Sequence, residues 1–160
     1  MNSKENNHPI LVPVDFSSCS EAALLKSCEL TDCLQQPVIA LHVVHDPADM
    51  PGYYSKFTKK KDLFRIEDKA QELFDEFIKD IVNRYPRIKQ LKKIETMLVI
   101  GLPATKILQV AEMKDASMII MGGKGNRGWK RMLLGSTVDE VARLCSIPLT
   151  IVKSDNCSVE

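Results

Sequence analysis

Net charge, aromatic residues and long apolar runs are all scarce in this chain. Lys and Arg total 22 against 21 Asp and Glu, a formal net charge of +1. That balance removes the global basic field of a nucleic-acid coat, so any anion site must be local. The first apolar stretch, residues 10–14, follows a polar N-terminus and is far too short for a signal core or a membrane span. No nucleic-acid partner, no membrane association and a cytoplasmic address are therefore expected. Gly (7) and Pro (8) are few, which excludes fibrous and low-complexity classes. The five cysteines form no C-x-x-C pair, and their odd number suits unpaired thiols in a reducing compartment. His8, His42 and His45 stand at no metal-site spacing relative to those thiols. Catalytic signatures are missing too. There is no Ser-His-Asp order, H-E-x-x-H, Walker lysine or S-G-G-x-D-S pyrophosphatase loop.

What is present is a regular alternation. The 160 residues suffice for one domain, and a domain of that size buries roughly 70% of its extended-chain surface. Residues 8–153 are read as that domain, with polar tails at 1–7 and 154–160. The apolar run at residues 10–14 ends at Asp15, as a strand buried on both faces should. Ser18 followed by Glu21 has the form of a capping box, and Ala22, Ala23, Leu25, Cys28 and Leu30 continue at helical spacing until Pro37. Val38 to Val44 reads as a second buried strand. Residues 46–60 hold Pro47, Pro51, Gly52, Tyr53 and Tyr54 and have loop chemistry; a lid over a ligand and a disordered connection are both open there. Ile66, Ala70, Leu73, Phe74, Phe77, Ile78 and Ile81 then keep the rhythm of an amphipathic helix, which ends near Tyr85-Pro86. A third strand at 94–100, a helix at 103–114, a fourth strand at 117–121, a helix at 137–144 and a fifth strand at 148–152 complete the order. Alternation of this kind predicts a single α/β domain of doubly wound, Rossmann-like type. Its five-stranded parallel sheet should carry helices on both faces and bind ligand beyond the carboxyl ends of its strands.

One segment stands out at that edge, running from Gly122 to Thr137. Four motifs compete for it. A P-loop fails, because Trp129 stands where Lys is required. Gly123 to Gly128 matches G-x-G-x-x-G, yet the dinucleotide fingerprint belongs after the first strand, and the position about 20 residues on, where an acid should stand, is Pro148. The third reading is Gly-x-x-Gly, nine residues, then Gly-Ser: Gly122, Gly125, Gly135 and Ser136. The fourth is structural, a turn in which Ser136 is only an N-cap. Physically, glycines let backbone N–H groups approach a phosphate, and a helix N-terminus at Gly135-Ser136-Thr137 favours an anion. Lys124, Arg127, Lys130 and Arg131 put four positive charges on this segment, able to screen a triphosphate or simply to solvate a surface. Trp129 is open between a partner contact and local packing.

The third pattern resembles that of the ATP-binding universal stress proteins. The likeness extends to the first strand and its exit (Val12-Pro13-Val14-Asp15-Phe16-Ser17), to Leu41-His42-Val43-Val44, to residues 101–104, to Ile119-Ile120-Met121-Gly122 and to Ile147-Pro148-Leu149. It implies ATP as ligand, with any Mg²⁺ or Mn²⁺ held through the phosphates. The nucleotide contacts it implies are Pro13, Val14, Asp15, Val43, Met121, Gly122, Gly125, Gly135, Ser136 and Thr137. From the residues alone, Asp15 could equally prepare the helix cap, and Val43 and Met121 could be core. The resemblance also implies a homodimer joined through the last strand. Its function would be nucleotide-responsive regulation through an unidentified protein partner, with no catalytic residue assigned. A slow ATP hydrolase and a nucleotide-independent dimeric interaction module are the alternatives.

Overall fold

Between Pro37 and Asp46 the chain has only apolar residues and two histidines, and that run forms strand β2, Val38–Val44, an interior strand of the sheet. In the computed structural model, which describes residues 8–45, 60–123 and 134–153, β2 is flanked by β1 (Ile10–Pro13) on one side and β3 (Glu95–Ile100) on the other. β4 (Met118–Gly122) lies on the far side of β1, and β5 (Leu149–Val152) pairs with β4. All four pairings are parallel and the order is β3-β2-β1-β4-β5. The five-stranded, all-parallel sheet expected from the alternation is therefore what forms. Strand order reverses between β1 and β4, and that reversal opens a crevice at their carboxyl ends.

Among the described residues four α-helices supply the layers: α1 (Ser18–Leu34), α2 (Lys60–Arg84), α3 (Pro103–Met113) and α4 (Ser136–Leu144). Strand alternation sorts the core into two halves. Ile10, Val12, Val14, Val38, Ala40 and Ile120 face α1 and α2, where Leu24, Cys28, Phe74 and Ile81 meet them. Leu11, Ile39, Leu41, Ile119 and Met121 face α3 and α4, packed on Ile107, Val110, Val138 and Val141. The α2 stripe behaves as its spacing predicts, with Ala70, Phe74 and Ile81 buried. Leu73, expected in the stripe, is 43% exposed. Truncating a fully buried phenylalanine such as Phe74 to alanine costs about 3–5 kcal/mol.

Several local expectations are revised. The cap of α1 is Ser17, whose hydroxyl accepts from the Ser20 amide at 3.1 Å, and Ser18 is already helical. Glu21 instead receives a two-pronged ion pair from Arg84 at 2.7 and 2.8 Å, tying the start of α1 to the end of α2. A 3₁₀ helix at Lys89–Lys93, unforeseen in the sequence, carries buried Leu91 into the α1/α2 side. Cys28, Cys33 and Cys145 are free, whereas Cys19 is disulfide-bonded, against the expectation of unpaired thiols. Among the described residues no helix is long and apolar enough to cross a membrane. Residues 46–59 of the expected loop, with Tyr53 and Tyr54, lie outside the described residues; Lys60 already belongs to α2.

Candidate functional site

The crevice between β1 and β4 is built from two strand exits and two helix starts. β1 leaves the sheet through Val14, whose amide still donates to the Leu41 carbonyl at 2.8 Å. The next residues turn sharply. Phe16 has φ 64°, a left-handed backbone that a bulky residue seldom adopts. The turn leaves Asp15 exposed at the carboxyl edge of the sheet. Its Oδ1 accepts from the Ser17 amide at 3.2 Å and from the Ser17 hydroxyl at 2.5 Å. Ser17 in turn caps α1, so the Asp15 carboxylate and the first turn of the helix form one hydrogen-bonded unit. Asp15 thus prepares the helix cap while remaining at the mouth of the crevice.

On the neighbouring strand, Gly122 closes β4 opposite Val152 and lies hard against the backbone of Cys19 in the first turn of α1. No side chain fits between them, which gives this glycine a packing reason to exist. Met121, one residue earlier, is buried on the α3/α4 side. Pro13 and Val14 are buried as well, and Val43 is half-buried opposite Val99. These four would meet a ligand through backbone or strand edge rather than through an exposed side chain.

The connection from β4 to α4 begins and ends at one point, because the Gly135 amide donates to the Gly123 carbonyl at 3.0 Å. Gly135 is also the N-cap of α4, and among the described residues no side chain caps this helix. Ser136, read as a possible cap, is the first helical residue and is exposed; Thr137 follows, half-buried. An uncapped start leaves first-turn amides for water or for an anion. Gly125, Lys124, Arg127, Trp129, Lys130 and Arg131 lie outside the described residues. Gly101, at the exit of β3, has φ 144° and donates its amide to the Val44 carbonyl at 2.9 Å, a backbone that favours glycine.

A residue passed over in the sequence also meets this edge. His42 points to the α1/α2 side of β2, and its Nδ1 lies 2.7 Å from the Val14 carbonyl. Its ring stacks on Phe16, with centroids 4.3 Å apart, and tilts against Phe74 at 5.9 Å. Burial pushes the imidazole below its ordinary pKa, partly opposed by the bond to Val14 and by the charge of Asp15. The sequence places His42 in a buried strand without a role; only the turn at Phe16 reveals what it touches. Among the described residues no group of three or more His, Cys, Asp or Glu side chains is placed to hold a metal ion.

Residues 6–153 match the universal stress protein family. Universal stress protein MJ0577 of Methanocaldococcus jannaschii is 29% identical over 163 residues, covering 92% of this chain and 95% of its own. A solved structure of MJ0577 superposes with a TM-score of 0.67 at 26% identity, over 92% of this chain and 96% of the other. The universal stress protein from Archaeoglobus fulgidus in complex with dAMP gives a TM-score of 0.60 at 23% identity, covering 91% of this chain and 98% of its own. A universal stress protein in complex with cAMP gives 0.57 at 20% identity, over 92% and 97% of the two chains. The match spans every strand and helix described above, and the chain belongs to the universal stress protein family.

Proposed function

We propose that this chain binds an adenine nucleotide, ATP foremost, in the crevice between β1 and β4, and that occupancy regulates contact with a protein partner in the cytoplasm. The observation that carries the reading is the meeting, at the switch point, of Asp15, the closing glycine of β4 and the uncapped start of α4. The four-position pattern Gly122, Gly125, Gly135 and Ser136 is complete in the sequence. Solved relatives bound to dAMP and to cAMP support a purine nucleotide in this fold. The ten residues we assign to the contact are Pro13, Val14, Asp15, Val43, Met121, Gly122, Gly125, Gly135, Ser136 and Thr137. First-turn amides of α4 and the Ser136 and Thr137 hydroxyls would take the phosphates. Mg²⁺ or Mn²⁺ would ride on those phosphates, with no protein cage of its own.

Mass spectrometry of the small molecule that copurifies tests the ligand directly, with an adenine nucleotide expected. Calorimetric titration with ATP tests the site. A folded Gly125→Val or Gly135→Val protein should lose binding, and unchanged affinity in either would refute the assignment.

A second reading, assembly, has its own support. β5 pairs with β4 alone among the described strands, and Leu149 to Val152 are half-buried along its other edge. An apolar edge strand favours pairing with a second copy. Dimer mass in light scattering at micromolar concentration is expected; a monomer would remove this element of the proposal.

A further inference from the structure

The chain around Asp15 is gripped on both sides by one side chain. The residue before it, Val14, offers a carbonyl to His42 Nδ1 at 2.7 Å. A carbonyl only accepts, so the ring carries its proton on Nδ1. The residue after it, Phe16, holds the strained φ of 64° and lays its ring on the same imidazole at 4.3 Å, 28° from parallel. Phe77 and Phe74 close the other sides of Phe16 at 5.5 and 6.0 Å. Backbone in this region persists only where its surroundings hold it. Here the holding groups are an N–H on one flank and an aromatic box on the other.

We infer that His42 is a positioning residue for the nucleotide site: its bond to Val14 and its stack on Phe16 fix the turn that presents the Asp15 carboxylate at the β1/β4 crevice. The inference rests on the adenine-nucleotide reading for its ligand, but the turn itself can be followed without one. Because Ser17 donates its amide to Asp15 Oδ1 at 3.2 Å, that amide reports where the carboxylate stands.

Two substitutions separate the bond from the stack. His42→Phe keeps an aromatic ring over Phe16 and removes the N–H. His42→Asn restores an N–H close to the place of Nδ1 without the ring. In nucleotide-free protein, His42→Phe should speed amide exchange at Ser17 about five- to tenfold, the scale of one neutral hydrogen bond, while Leu11 and Ile119 keep their protection. ATP affinity, measured by calorimetry, should fall by a similar factor. His42→Asn should recover most of both losses. The inference is overturned if His42→Phe exchanges at Ser17 and binds as wild type does, or if folded His42→Asn is as impaired as His42→Phe. Phe16→Leu, which spares the bond and removes the stack, should also speed exchange at Ser17; it carries the test if His42→Phe loses core protection, and wild-type exchange in it would overturn the role of the stack. A wild-type protein that binds no adenine nucleotide would instead defeat the ligand reading, while the exchange rates still decide the positioning.

Discussion

A Cβ added to Gly122 would stand 2.5 Å from the carbonyl carbon of Cys19 and 2.6 Å from its oxygen. Backbone on both sides leaves nothing soft to yield. Gly122→Ala should therefore destabilise the protein by about 1–3 kcal/mol through overpacking between α1 and β4. Gly123→Ala is the control, since its nearest neighbours, Ile151 Cγ2 and the Val152 carbonyl oxygen, would be 3.4 Å away. Chemical denaturation should rank the two clearly; equal midpoints would contradict the packing. Lost ATP binding in Gly122→Ala would then be no proof of a phosphate contact at that glycine.

The Asp15–Ser17–Ser20 chain of bonds makes a second expectation quantitative. Ser17→Ala removes the α1 cap and should cost about 1 kcal/mol. Asp15→Ala removes the group that orients that cap, so the double variant should lose less than the sum, with a coupling of at least about 0.5 kcal/mol. Strict additivity in urea melts would show that the two act independently.

Acid should find His42. Its folded pKa is depressed below the ordinary 6.5 by burial, so the unfolded chain takes up the proton first as pH falls. The contribution is fully present above about pH 6.5 and is lost as pH drops from there through the depressed folded value. The stability difference between wild type and His42→Phe, followed by denaturation from pH 7.5 to 5, should shift against the wild type on the acid side. A flat difference across that range would show that the ring titrates freely in the fold.

Thiol chemistry should separate two cysteines on the same helix. Cys28 is 2% exposed, and burial pushes its thiol up to about 11, whereas Cys33 is exposed near the end of α1. Since the thiolate is the reactive form, a water-soluble thiol reagent at pH 8 should label Cys33 in the native protein at least tenfold faster than Cys28. Peptide mapping reads the order, and comparable labelling would mean that α1 opens readily.

Much of this was legible in the sequence, and the misses have physical causes. β2 was bounded correctly because Pro37 and Asp46-Pro47 punctuate a run that is apolar but for its histidines. The cap of α1 was misplaced by one residue because Ser17 and Ser18 are equally able to cap. The choice fell to the turn at Phe16, whose positive φ no local rule for a phenylalanine foretells. The Lys89–Lys93 turn was missed because its single buried residue, Leu91, sets no period. At the site, the spacing of Gly122, Gly125, Gly135 and Ser136 was plain to read. The pressure of Cys19 on Gly122 was not, since it joins residues far apart in the sequence, and His42 read as an ordinary core or surface histidine.

The Gly135 amide bonded to the Gly123 carbonyl divides what can vary from what cannot. At that bond the exit of β4 and the start of α4 are joined directly. For a flexible connection whose ends are held together, a doubling of length costs only about 0.6 kcal/mol of loop-closure entropy. The register of α4 against β4 is thus set by this bond together with Leu134, which packs on the α3/α4 core just before Gly135.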